Sequence, residues 1–377
     1  MRKHFASLIV VLSLAGGSVA YGQAPALPWG QNPDMLAWQT LVQVVAPAGN
    51  PQNTNVEFET WASDQDIYTA NPQWPGTGAT KTLTISALAN AHLHPRLPQV
   101  IAPGQCGKPG DPNVAKAAGF PADGCIGEEV RRNWASFQYI VANNLYSHAG
   151  LAQRYQKGPK VDFPADAIEL KADWARVQDV MKWVNLTEQQ VEDRYYTNTA
   201  SDGTTTAKYA LLSFHFSTKL LHNWFWTDFE NENTPGRCDD IGCHDSYGAV
   251  KPNVKPNSTT WQPYGTCAKT KPVLAMFGNA GISSVWQHYC LKGTQTTSFT
   301  EPLRLGNSVI EAINASVPIN KSSCISCHAY ASFDNKGYAN YDAAGGNYIG
   351  NIVPSRLHGY VTNDFVWGPI TLPPPPQ

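Results

Sequence analysis

The sequence predicts an α+β protein with an antiparallel sheet core, peripheral helices and long disulfide-stapled loops. Three observations carry that expectation. Ile168, Leu170, Ala172 and Trp174 alternate with Glu169, Lys171 and Asp173, the period-two pattern of a half-buried strand. Residues 208–219 alternate again, with Leu212, Phe214 and Phe216 on one face and Leu211, Ser213, His215 and Ser217 on the other. An aromatic run at 224–230 follows after so short a connection that the two strands should pair antiparallel. Elsewhere 30 glycines and 28 prolines break the chain into loops, and eight cysteines can crosslink them.

Taken in order, residues 1–20 read as a secretory signal peptide. Arg2, Lys3 and His4 form a basic start, residues 5–15 are apolar apart from serines, and Ser18, Val19 and Ala20 precede the cleavage point. No stretch reaches the roughly 18 apolar residues of a membrane span, so no membrane insertion is expected. Residues 21–127 form a loop-rich N-terminal region, with a helix over 36–45 and a brief strand over 58–61. Residues 128–300 form the sheet-centred core. It opens on a helix over 128–146, where Val130, Trp134, Phe137, Ile140, Val141 and Leu145 recur at helical spacing behind acidic Glu128 and Glu129. Short helices are expected over 283–291 and 304–314. Residues 301–368 make a C-terminal attachment segment, and 369–377 a Pro-rich tail. With charged residues at 15% and a net charge of −2, nothing points to nucleic acid or to an anionic membrane surface.

The attachment segment contains Cys324-Ile325-Ser326-Cys327-His328, the C-x-x-C-H pattern that attaches one haem c covalently. Each thiol can form a thioether to a vinyl group, and the adjacent His328 is then carried beneath the iron as proximal ligand. A redox dithiol or a structural disulfide needs only the two cysteines, and a zinc site needs a second cysteine pair, which no matching motif supplies. The other six cysteines pair most simply with their neighbours: Cys106 with Cys125, Cys238 with Cys243, and Cys267 with Cys290. Cys238, Cys243 and His244 also spell a longer C-x4-C-H, which leaves a second haem as the alternative to a local disulfide. For the sixth iron position no methionine follows the motif, so His358, the one downstream histidine, is the first choice; His215, His222, His244 and Met276 lie upstream. Glu169, Lys171, His215 and Lys219 fall on the polar faces of the central strands and could line a small-molecule site, although such faces ordinarily meet water.

On Cys324-Ile325-Ser326-Cys327-His328, on residues 223–230 and on residues 284–289 the chain resembles exported bacterial mono-haem cytochrome c-like proteins. The resemblance implies covalent haem at Cys324 and Cys327, iron on His328, and a periplasmic electron-transfer protein. Its partners would be a redox partner protein or a small-molecule electron donor or acceptor. Two other roles stay open. One is a haem-dependent oxidoreductase with an open distal site assisted by His215 and Lys171, the other a non-catalytic haem-containing binding or sensory protein.

Overall fold

The computed structural model describes residues 32–48, 55–75, 112–124, 126–158, 160–201, 206–256, 260–296, 304–315, 317–341 and 349–371. Its centre is a seven-stranded sheet in which every pairing is antiparallel, an α+β arrangement as expected. In chain order the strands are β1 (Ala62–Ser63), β2 (Ile126–Arg132), β3 (Ile168–Arg176), β4 (Thr197–Ser201), β5 (Thr206–Thr218) and β6 (Phe225–Asn231). A hairpin of β7 (Cys243–His244) and β8 (Asn253–Val254) follows, then β9 (Tyr289–Gln295), which returns to the sheet. The spatial order is β1-β2-β3-β5-β6-β9, and β4 shares an edge of β5 with β6.

The alternation read in β3 and β5 is real, with one interruption, and the aromatic run at 224–230 is strand β6 as expected. Asp173 faces Ser213 and Trp174 faces Leu211, so Leu212 has no partner and the strand bulges there. The bulge exchanges two predicted positions. Leu211 joins Phe214 and Phe216 in the larger core, while Leu212 turns to the other face among Ala175, Ala210, Val309 and Ile313.

The larger core lies between the sheet and the helices Pro33–Val44 and Lys271–Ala280. The first helix starts at Asn32, whose side chain accepts from the Asp34 and Met35 amides, and Pro33 occupies its first turn. Trp38 from this helix meets Phe229 edge to face at 5.2 Å. Each such side chain contributes about 1.5–3 kcal/mol by full burial.

Four local expectations are corrected. Residues 128–132 belong to β2, and the helix begins only at Trp134–Ala142, capped by Asn133. The strand wins because its charges find partners: Lys171 holds Glu128, Arg131 holds Glu129, and Arg132 holds Asp64 and Glu169. Residues Glu57–Thr60 form a 3-10 turn rather than a strand, because the Glu59 carboxylate accepts from the Val56 amide. Ser284–His288 is likewise a 3-10 turn that leads into β9, so Tyr289 to Leu291 are strand. The helix expected over 304–314 is confined to Ser308–Asn314 and is wound as a π-helix.

Cys238–Cys243 and Cys267–Cys290 are disulfides, as the nearest-neighbour pairing anticipates. The expected Cys106–Cys125 bridge and the signal peptide lie outside the described residues. Among the described residues no helix is long and apolar enough to cross a membrane.

Candidate functional site

The second face of the sheet is where sequence and structure part most. Lys171, His215, Trp226, Asp228, Glu230 and Lys292 form a polar set there, and instead of meeting water it is largely covered by the segment 304–328. Two carboxylates dock that segment. Glu230 accepts from Lys292 Nζ at 3.1 Å and from the Ser308 amide at 3.0 Å, and Asp228 accepts from Asn307 Nδ2 at 2.6 Å. Leu305 and Ser323 then form a parallel bridge. Gly306 permits that approach, since a Cβ there would lie 2.4 Å from Ser322 Oγ.

The bridge delivers the short helix Cys324–His328 to the sheet. Ser323 caps it, and Gln295 on β9 pins it twice, donating to Ser323 Oγ and accepting from the Ile325 amide. Cys324 and Cys327 are both unpaired thiols. Burial pushes the Cys327 thiol up to about 12 and raises that of Cys324 as well. That is the opposite of the lowering that activates a redox dithiol. Among the described residues no group of three His, Cys, Asp or Glu side chains is arranged to hold a metal ion.

His328 is set with more care than the motif itself could specify. Its Nδ1 lies 2.7 Å from the Phe365 carbonyl, and a carbonyl can only accept, so Nδ1 carries the proton and Nε2 keeps a free lone pair. Burial lowers the ring to about 4, which keeps it neutral at ordinary pH. The Trp226 ring packs against it at 4.5 Å. Presenting the Phe365 carbonyl requires an unusual turn, for Asp364 and Phe365 both have positive φ, at 47° and 67°. Asp364 holds the turn in place by accepting from Lys219 Nζ at 2.6 Å and from the Phe163 amide at 2.7 Å. The pairing of β10 (Ser332–Phe333) with β11 (Val361–Thr362) anchors the chain just before it.

Between this helix and the sheet is a cavity of about 60 Å³ whose walls include His215, Trp226, Glu311, Cys324, Cys327 and His328. Of the four polar residues proposed to converge, Lys171 and His215 are cross-strand partners beside the cavity. Glu169 instead serves Arg132 and Ser136, and Lys219 serves Asp364 and Asp162. His358 is exposed on a turn and does not line the cavity; His222 is exposed, and Met276 packs on the larger core. His244, with its cysteines bridged, is exposed and bonds Asn253.

The functional atoms that sequence reading missed are the Phe365 carbonyl, Asp364, Gln295 and Glu311. A carbonyl has no side-chain signature, and the others became relevant only when distant segments met. Comparison with known protein families, with curated proteins and with solved structures gives no match.

The donor set suits a covalently held haem: two free thiols at the attachment spacing, followed by a neutral imidazole whose outer nitrogen is already tied down. Sites for ligands of drug size measure about 300–1,000 Å³, several times this cavity.

Proposed function

We propose that the chain is a periplasmic c-type haem protein that transfers electrons. The observation that carries this reading is the orientation of His328: with Nδ1 tied to the Phe365 carbonyl, its bare Nε2 belongs to a ring that lines the same cavity as the unpaired Cys324 and Cys327. Cys324 and Cys327 would hold one haem by adding S–H across its two vinyl groups, a step that releases no atom. His328 would ligate the iron through Nε2. Bound there, the haem supplies a one-electron couple. The protein's own part is to fix the imidazole tautomer through Phe365, to pack Trp226 against the ring, and to keep water from the buried thiols. The partner would be a redox protein or a small-molecule electron donor or acceptor. Export agrees with the basic, apolar start of the chain and with the two disulfides among the described residues.

The test is the denatured mass of the protein matured in a host able to attach haem. The expected mass is the processed chain plus one haem, lost in a Cys324→Ala, Cys327→Ala double variant, together with a one-electron redox titration. A mature wild-type chain carrying no haem would refute the reading.

A further inference from the structure

One side chain in the cavity keeps a buried nitrogen without a hydrogen-bond partner. Strand alternation sends Phe214 and Phe216 into the larger core and turns His215, between them, to the cavity side. His215 Nδ1 is buried with no hydrogen-bond partner, and the nearest carboxylate oxygen, on Glu311, is 3.9 Å away. A buried polar atom left without a partner is costly, and such an atom in a native interior calls for an explanation. Its polar neighbours are engaged elsewhere: Lys171 holds Glu128, and Glu311 accepts from the Asn307 amide.

The remaining described histidines are either committed or remote from the cavity. His148 bonds the Gly337 carbonyl, His244 bonds Asn253 and His288 bonds Glu232. His222 and His358 are exposed and do not line the cavity. Among the described residues only His215 and His328 bring imidazoles to the same space, one from the sheet and one from the helix that carries the thiols.

We propose that His215 would be the second protein ligand to the haem iron, alongside His328. This assignment rests on the haem reading above. A bis-imidazole iron is six-coordinate and has no open position, which would make the protein an electron carrier and remove the open-site oxidoreductase from consideration.

The experiment compares haem content by mass with the absorption spectrum of the full mature protein. The wild type should carry one haem and show a low-spin spectrum that carbon monoxide leaves unchanged. His215→Ala should keep the haem mass, become high-spin and bind carbon monoxide, and added imidazole should restore the low-spin spectrum. His358→Ala should match the wild type. If His215→Ala does not fold, His215→Met provides the second measurement: haem retained, a low-spin spectrum distinct from the wild type, and a raised potential. A haem-bearing His215→Ala or His215→Met protein with the wild-type spectrum would overturn the ligand assignment and leave the haem reading standing. A wild-type chain without haem would overturn both.

Discussion

Asp364→Ala tests whether a strained turn sets the tautomer of His328. Asp364 accepts two hydrogen bonds as a buried carboxylate, from Lys219 Nζ at 2.6 Å and from the Phe163 amide at 2.7 Å. Hydrogen bonds to charged groups contribute about 1.5–3 kcal/mol each, and removing one member of a buried ion pair costs about 3–5 kcal/mol. Lys219 is not abandoned by the substitution, since it keeps the His222 carbonyl at 2.9 Å and the half-exposed Asp162 at 3.1 Å. The low end of that range therefore applies, about 3 kcal/mol for Ala. Asn retains a carbonyl oxygen for the Phe163 amide and tolerates positive φ, so Asp364→Asn should lose only about 1–2 kcal/mol. Urea unfolding measures both. The ring nitrogen resonances of His328 report the second effect, a loss of the uniform Nδ1–H form in the Ala variant as the Phe365 carbonyl drifts. Stability within about 0.5 kcal/mol of the parent, combined with an unchanged tautomer, would refute the idea that Asp364 presents that carbonyl.

Two further outcomes follow from the same physics. Burial lifts the Glu59 carboxyl from 4.5 to about 7, so the folded chain holds that proton more tightly than the unfolded chain does. Its contribution to stability is therefore complete below about pH 4.5 and lost as pH rises towards 7, by up to about 3 kcal/mol. Glu59→Gln should flatten the unfolding free energy over that window, and an identical pH slope in the variant would contradict the assignment. Replacing Cys267 and Cys290 by Ser opens a loop of 23-residue separation, whereas replacing Cys238 and Cys243 opens one of only 5. Loop-closure entropy predicts losses of about 3 and about 2 kcal/mol respectively, and urea midpoints that reversed this order would show that local packing, not chain entropy, governs the two bridges.

How much of this was legible in the chain depends on whether the deciding contact is local. The alternation in β3 and β5 shows in the sequence because period two follows from strand geometry alone, whereas the bulge at Leu212 depends on how Trp174 meets Leu211 across the pair. Residues 128–132 read as helix because Val130 happens to continue the apolar spacing of the helix after it. What makes them strand is the set of partners for Glu128, Arg131 and Arg132, most of them on other segments. The same division runs through the site.

Cys324, Cys327 and His328 are readable because their chemistry is written into five consecutive residues. Nothing in those five residues decides which nitrogen of His328 carries its proton. That is decided by the carbonyl of Phe365, held in a left-handed turn by Asp364, which is tied in turn to Lys219 at the end of β5. The cavity follows the same logic, with His215 from the sheet, Glu311 from the π-helix and His328 from the motif helix. His215 and Glu311 are ordinary polar residues by their neighbours in sequence, and His215 in particular occupies a strand face that a reader assigns to water. The covering segment 304–328 removes that water, and with it the routine explanation for a lone imidazole. The motif thus specifies the donor atoms, and the tertiary fold specifies their protonation and what can stand opposite them.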